Sequence, residues 1–554
     1  MNKTAVAKRQ GAWGALGGLA FDLSPYVFAL LAFAAGLLLL LSNATPAESG
    51  RLAALSRIED TFVIELSHFL GSIVGLLLLL VATALWRRRS GAYWAALALL
   101  MAGAFFSMTK GLEYEGAGAL LVIAAALVPC RVAFDRHSRL LAERLDPVWL
   151  GAAIAAVAAS GWLGFFAFRH VAYSHDLWWT FLRDADASRF LRAGVAVALM
   201  TLVAAVMTLF APARPPWRAR PSAEDIQTAA EIVQTAEYAP ADAWLALSGD
   251  KDLLFSDSRA SMLMFRVRGR HWIAMSEPAG LRTERRALMW RYVELSDQVG
   301  STPVFYAISE DLLPDVAAMG LVIRQVGETA LVPAQKFTLT GRARQDLRTA
   351  LHHAEREGGS FEVLPPGEAV RSHMAELKAV SDTWLKRQTG KEKGFSLGRF
   401  EPGYIERFPI AVVRIDGRIV AFATLMTSRT RSETSIDLMR QGADAPRWVM
   451  DMLFLKIVEW AKAEGLEWVN LGMAPLAGLE NRRFAPLFAR LGAFVYQQGG
   501  AVYGFEGLRK YKNKFGPEWR PLYMAARPGA LMPLALLDVA LLTSGGWRGM
   551  LLQD

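Results

Sequence analysis

Cysteine is almost missing from this chain: Cys130 is the single one in 554 residues, and it lies inside an apolar run. Neither a disulfide framework nor a cysteine-based metal site can be built from it. Any zinc site would have to be assembled from scattered histidines and carboxylates. The chain also has no Gly-x-x-x-x-Gly-Lys-[Ser/Thr] phosphate loop, no Gly-x-Ser-x-Gly elbow and no His-Glu-x-x-His helix. ATPase, serine-hydrolase and metalloprotease chemistries therefore lose ground. Charge is sparse too, at 20% of residues against 53% hydrophobic, which is more apolar than an average soluble protein and places part of the chain in lipid. The net charge of +9 fits nucleic acid, anionic lipid or basic loops beside a membrane, and by itself does not choose among them.

What is present is a set of apolar runs, each near twenty residues, at roughly 24–42, 67–86, 91–109, 116–134, 148–170 and 191–212. They predict a membrane domain of about six helices over 1–212. Lys3, Lys8 and Arg9 ahead of the first run resemble a signal-peptide start, but five further runs make it a first span. Basic residues at 3–9, Arg87 to Arg89, Arg131 to Arg144 and Arg214 to Arg220 fall on alternate sides of successive spans, which predicts both ends on the cytoplasmic side. Glu65, His68, Lys110, Glu113, Glu115, His170, His175 and Asp176 fall in or beside the spans. They read either as headgroup-level residues or, for His68, Lys110 and Glu113, as the lining of a cavity.

A proline-rich basic linker at 213–221 marks a boundary, since helices do not continue through such a run. Ser222-Ala-Glu-Asp then reads as a helix start. From 243 onward short strand-like runs alternate with helical patterns, including an expected strand at Trp244 to Leu247, a helix near 481–491 and a last strand near 501–505. The pattern occurs twice, over 222–340 and 341–527, and predicts tandem α/β subdomains. Asp416-Gly417 between apolar runs predicts a hairpin. The tail, 528–554, is too short and too interrupted by Asp538 for another span, and reads as an interfacial or domain-covering helix.

Several short runs stand out in this soluble half: Gly249-Asp-Lys-Asp-Leu-Leu-Phe-Ser256, Pro303-Val-Phe-Tyr306, Gly327-Glu-Thr-Ala330, Glu392-Lys-Gly-Phe-Ser-Leu-Gly398, Asp437-Leu-Met-Arg440, Leu471-Gly-Met-Ala-Pro-Leu476 and Gly507-Leu-Arg-Lys-Tyr-Lys-Asn-Lys-Phe515. In this order they resemble the aminoacyl-phosphatidylglycerol synthases of the multiple peptide resistance factor family, over about 215–525. The resemblance implies a multi-span membrane domain followed by a cytoplasmic domain of two tandem GNAT-like folds. It implies transfer of a lysyl or alanyl group from aminoacyl-tRNA to phosphatidylglycerol at the bacterial inner membrane, which raises surface charge and resistance to cationic antimicrobial peptides. No cofactor is implied. Members commonly carry a longer membrane region with a flippase module. Oligomeric state, monomer or homo-oligomer, stays open.

The residues agree in class. No [Gln/Arg]-x-x-Gly-x-[Gly/Ala] run, which holds the coenzyme A pyrophosphate in ordinary GNAT enzymes, is found, so the donor is another activated acyl group, and no ATP site for amino-acid activation is visible. Acyl transfer from an ester to a hydroxyl needs recognition of the donor ammonium and a cation near the developing negative charge. Asp437 is the candidate for the ammonium or for orienting the acceptor. Arg440 and Lys512 are the candidates for the oxyanion, the tRNA terminus or the lipid phosphate. Glu392, Lys510 and Lys514 are candidate substrate-binding residues. Strict strand alternation would put positions 437 and 440 on opposite faces, so a bulge is expected between them, and the competing reading of the two is a buried structural ion pair. Two other functions remain open: a lipid-binding or flippase protein with a regulatory soluble domain, and a Fem-type transferase acting on a cell-wall precursor.

Overall fold

The structure is a computed structural model that describes residues 12–44, 61–111, 114–136, 221–387, 392–479, 482–485, 490, 505–528 and 532–546. Two compact units divide the chain between residues 215 and 216, with residues 298–300 grouped with the first.

The first unit contains α1 (Ala12–Ala44), α2 (Thr61–Trp86), α3 (Ser90–Gly111) and α4 (Tyr114–Leu127). Among the described residues three stretches are long and apolar enough to cross a membrane, Leu23–Leu40, Ser90–Thr109 and Tyr114–Ala133, while the apolar part of α2, Leu70–Trp86, is shorter. Small residues let α1 and α2 meet backbone to backbone: a Cβ on Gly36 would lie 2.6 Å from the Gly75 carbonyl oxygen, and one on Gly75 would lie 2.9 Å from that of Gly36. Such close approach is how helices associate where lipid removes the hydrophobic drive between them. The expected spans at 148–170 and 191–212 lie outside the described residues, as do the side chains of Glu65, His68, Lys110 and Glu113 and the whole of His170, His175 and Asp176.

The second unit opens with α5 (Ala223–Thr235), whose Ser222 and Asp225 form a reciprocal capping box. One eleven-stranded sheet runs through the unit in the order β1-β2-β3-β4-β11-β5-β10-β9-β8-β7-β6. Its strands are β1 (Asp252–Phe255), β2 (Met262–Arg268), β3 (His271–Met275), β4 (Thr302–Ile308), β5 (Val322–Pro333), β6 (Ser360–Leu364), β7 (Ile410–Ile415), β8 (Arg418–Thr427), β9 (Glu433–Gln441), β10 (Trp468–Pro475) and β11 (Glu518–Ala526). Between them lie α6 (Arg282–Gln298), α7 (Gln345–Arg356), α8 (Met374–Arg387), α9 (Val449–Ala463) and α10 (Phe505–Asn513), and α11 (Met532–Thr543) follows the last strand. The hairpin of β7 and β8 turns at Asp416 and Gly417, both at positive φ, as a two-residue turn of this type requires.

Alternate side chains of β7 and β8 feed two cores. Ile410, Val412 and Phe422 face one that includes Leu377 and Val380 of α8, and Ala411, Val413, Ala421 and Ala423 face the other, against α9. β11 separates β4 from β5 and runs antiparallel to both. β9 and β10 are parallel neighbours but pair only from Glu433/Trp468 to Ser435/Asn470, after which β9 continues against β8 and β10 against β5.

Two local expectations differ from the structure, and a third falls mostly on residues it does not describe. Trp244 to Leu247 is part of a 3-10 helix, Ala241–Ser248, closed by Gly249 at φ 68°; six of its eight residues are buried, Leu245 to Leu247 consecutively, so its apolar run carries no strand alternation. The strand expected near 501–505 is absent at Phe505, which begins α10, and the last strand is β11, which carries Pro521 within it. The helix expected near 481–491 lies mostly outside the described residues.

Candidate active site

β9 brings Asp437 and Arg440 to one face by a bulge. Ala423 of β8 lies opposite Met439 and Leu425 opposite Ile436, so Thr424 alone faces two residues, Asp437 and Leu438. The Leu438 amide donates to Thr424 Oγ1 at 3.0 Å. The extra residue resets the alternation: Ile436 and Met439 pack in the α9 core, and Leu438 packs in the core shared with α8.

Asp437 is buried. Its Oδ1 accepts the Gly398 amide at 2.8 Å, and its Oδ2 accepts the Tyr404 hydroxyl at 3.3 Å. A Cβ at position 398 would collide with Asp437 Oδ2 and come within 2.8 Å of the Tyr404 ring, so a glycine is needed there. Burial pushes the Asp437 carboxyl up, and the Gly398 amide, the Lys251 charge, the Tyr404 hydroxyl and Arg440 oppose that rise. Burial and the Asp437 charge together hold the Tyr404 phenol well above its ordinary value, so it remains a hydrogen-bond donor.

Arg440 is 3% exposed and is fixed on every side. Nη2 and Nη1 donate to Glu392 at 2.7 and 3.0 Å, Nη1 also donates to Ser381 Oγ of α8 at 2.5 Å, and its guanidinium lies 5.0 Å from the Trp384 ring and 6.0 Å from that of Phe400. The two-point contact with a carboxylate is the strongest form of charge-assisted hydrogen bonding. Among the described residues the carboxylate partner of Arg440 is thus Glu392 and not Asp437.

The Gly249-Asp-Lys-Asp run supports this loop from the other half of the unit. Lys251, fully buried, spends its donors on Leu245 O, Ser248 Oγ and Asp250 Oδ1 at 2.9, 2.9 and 2.6 Å. Asp250 Oδ2 accepts the Phe395 amide at 2.7 Å and Arg399 at 3.2 Å. Burial works to raise the Asp250 carboxyl, and the ammonium of Lys251 with these hydrogen bonds holds it below the usual carboxylate range. Close by, half-buried Asp242 is pushed up to about 7 by burial and by the carboxylates of Glu433, Asp437 and Glu277. No individual role for Asp242, Asp250, Lys251, Ser381, Gly398 or Tyr404 follows from the sequence alone. A charged triplet directly ahead of the apolar Leu253-Leu-Phe255 run was the one signal available for the first of these segments.

Lys512 of α10 is buried, and Nζ donates to the carbonyls of Gly472 and Met473 at 2.9 and 3.1 Å, just past the point where β9 and β10 stop pairing. Among the described residues one donor is left over from the three of an ammonium. Burial lowers this lysine to about 8. Lys514 is held by Asp451 at 3.0 Å, and Lys510 is exposed. Among the described residues no hydrogen bond or ion pair joins Lys510, Lys512 or Lys514 to Asp437 or Arg440, and no group of three or more His, Cys, Asp and Glu side chains is placed to hold a metal ion.

The fold has counterparts among solved structures. The crystal structure of the C-terminal domain of a protein described as a lysylphosphatidylglycerol synthetase from Agrobacterium fabrum is 42% identical, covers 59% of this chain and 99% of its own, and superposes with a TM-score of 0.53. L-PGS from Bacillus licheniformis is 32% identical, covers 58% and 98%, and gives 0.50. A phosphatidylglycerol lysyltransferase of Bacillus subtilis is 30% identical over 526 residues, which is 92% of this chain and 58% of the relative, and that of Staphylococcus epidermidis is 30% identical over 281 residues, 50% and 33%. The chain thus spans between about a third and somewhat more than half of the length of these relatives. A family profile described as phosphatidylglycerol lysyltransferase, C-terminal, matches residues 230–526, the stretch that holds Asp437, Arg440, Lys512 and the loop around Gly398. With that match over more than half of its residues, the chain belongs to the phosphatidylglycerol lysyltransferase C-terminal family.

Proposed function

We propose that this protein is a membrane-bound aminoacyltransferase that moves a lysyl or alanyl group from aminoacyl-tRNA to a glycerol hydroxyl of phosphatidylglycerol. The added amine makes the membrane surface less negative and raises resistance to cationic antimicrobial peptides. The observation that carries the reading is the pair Asp437 and Arg440, buried on one face where β9 leaves β10, inside the segment that matches the family. In this reading the two halves of the unit, 222–340 and 341–527, are each GNAT-like, and each contributes a parallel strand pair. In the first half β11 occupies the space between β4 and β5, whereas in the second the pairing of β9 with β10 simply stops. Among the described residues the second half is therefore the one whose parallel strand pair opens. A membrane domain over 1–212 anchors the enzyme, 213–221 is the linker, and the second unit faces the cytoplasm, where charged tRNA is found.

The reaction is an ester exchange. The lipid hydroxyl oxygen forms a bond to the aminoacyl carbonyl carbon, the bond from that carbon to the ribose oxygen breaks, and the hydroxyl proton ends on the ribose oxygen. Asp437, held as an acceptor by Gly398 and Tyr404, binds the donor ammonium or orients the lipid hydroxyl. Arg440 and the free donor of Lys512 stabilise negative charge on the ester oxygen and the phosphate, each at a scale of roughly 3 kcal/mol if it acts as an oxyanion donor. The full chain, inserted in phosphatidylglycerol vesicles and given tRNA charged with radiolabelled lysine or alanine, tests the reading. Label in a glycerophospholipid is the expected result; label confined to a cell-wall precursor, or none in lipid, contradicts it.

A further inference from the structure

The family match stops at residue 526, yet helix α11, which follows it, touches the loop that shapes the site. The Thr543 carbonyl accepts the Gly394 amide at 2.9 Å, and Thr543 Oγ1 lies 3.0 Å from Ser396 Oγ. Between those two contacts Phe395 donates its amide to Asp250, three residues further Gly398 donates to Asp437, and Glu392 at the start of the same loop clamps Arg440. A segment with glycines at 394 and 398 has little conformational preference of its own. Its geometry comes from the acceptors that surround it, and α11 supplies one of them.

The helix is anchored at a second point. Asp538, its single charged residue, lies with Oδ2 2.7 Å from His271 Nδ1 and accepts Arg268 Nε on Oδ1 at 3.2 Å. These two partners flank the β2–β3 turn, where Gly269 sits at φ 57° with Asp538 beside it. Met532, Ala535 and Val539 are buried in the core that also holds Met264 and Ile273, and Gly546 closes the helix by donating to Leu541 O at 2.8 Å. From Asp538 to Thr543 the helix rises only about 7 to 8 Å, so a stiff strut connects the ion pair to the loop.

We propose that α11 is a positioning strap for the transfer site, with Asp538 and Thr543 as positioning residues that hold loop 392–398 and, through it, Asp437 and Arg440. This rests on the reading of that site given above. The test uses the full-length chain in detergent or vesicles and measures hydrogen exchange at 392–400 together with turnover. Asp538→Ala is expected to speed exchange of the 394–398 amides about tenfold or more and to lower kcat by about tenfold with a smaller change in KM, as expected for lost orientation. Asp538→Glu, which keeps the charge, should recover most of both. If Asp538→Ala does not accumulate, Thr543→Val removes only the hydroxyl contact and carries the same exchange measurement, with a smaller acceleration confined to the loop. Faster exchange in α11 with unchanged protection at 394–398 would overturn the strap. An unmodified chain that transfers no aminoacyl group would overturn the reading of the site and the catalytic half of the proposal, while the exchange arm would still decide whether α11 holds the loop.

Discussion

Thr424 holds Leu438 out of register: the Leu438 amide bonds the threonine hydroxyl instead of continuing the backbone ladder, and the resulting bulge is what aims Asp437 and Arg440 the same way. Thr424→Val keeps the shape and removes the acceptor. The buried amide is then unpaired, at a cost of about 1 to 3 kcal/mol. Lower thermal stability together with a loss of turnover larger than the fraction unfolded is expected; full turnover would show that the bulge does not set the site.

The clamp on Arg440 separates a structural pair from a catalytic one. Glu392→Ala leaves a nearly inaccessible guanidinium without its carboxylate, and breaking a buried pair costs roughly 3 to 5 kcal/mol, less here because Glu392 is 27% exposed. Glu392→Gln retains the acceptor oxygen and should accumulate normally. Thermal unfolding and turnover of both variants are the measurements. If Arg440 serves the reaction, Arg440→Gln with normal expression loses about 100-fold in turnover.

Lys512 predicts opposite trends for activity and stability. Its ammonium is lowered from 10.5 to about 8 by burial, so turnover that needs the charged form falls as pH rises through about 8. Between that value and 10.5 the unfolded chain binds the proton that the folded chain has lost, so this residue makes stability rise with pH over the same window. Turnover and melting temperature measured from pH 7 to 10 check the pair of trends, and Lys512→Met should abolish both.

Asp242 has the reverse sign. Its carboxyl is raised from 3.8 to about 7, so between those values the folded state binds the extra proton and stability contributed by this group is lost as pH rises. Asp242→Asn should melt at a higher temperature than the unmodified chain at pH 8 and at nearly the same temperature at pH 4. An equal shift at both would remove the carboxylate cluster as its cause.

Elements with a strong local signal were legible from the residues. The β7–β8 hairpin needed only Asp416-Gly417 between apolar runs, and the α5 start needed only Ser222 and Asp225. Asp437 and Arg440 stood out because charge inside an apolar strand is costly unless partnered. Glu392 stood out as a candidate in its own right, but its pairing with Arg440, and the other partners, did not. Glu392, Gly398 and Tyr404 lie between 33 and 48 residues away in sequence, and Lys251 and Asp250 come from the other half of the sheet. β11 was illegible for the same reason: its place between β4 and β5 is a tertiary fact, and Pro521 hid its strand character. Lys514, one of three lysines in a basic run, is committed to Asp451 of α9, a contact that spacing along the chain cannot reveal.

Mass spectrometry of lipids from a host that makes no aminoacylated lipid, expressing either the unmodified chain or Asp437→Asn, tests the central claim most directly. Asparagine keeps the shape and one acceptor oxygen for the Gly398 amide, and the Tyr404 hydroxyl oxygen can accept from its amide nitrogen, so the asparagine variant should fold and insert as well as the parent. The account predicts phosphatidylglycerol heavier by one lysyl or alanyl residue with the parent, and about 100-fold less of it with the variant at equal protein. No aminoacylated phosphatidylglycerol from the inserted parent, or equal amounts from both, would contradict it.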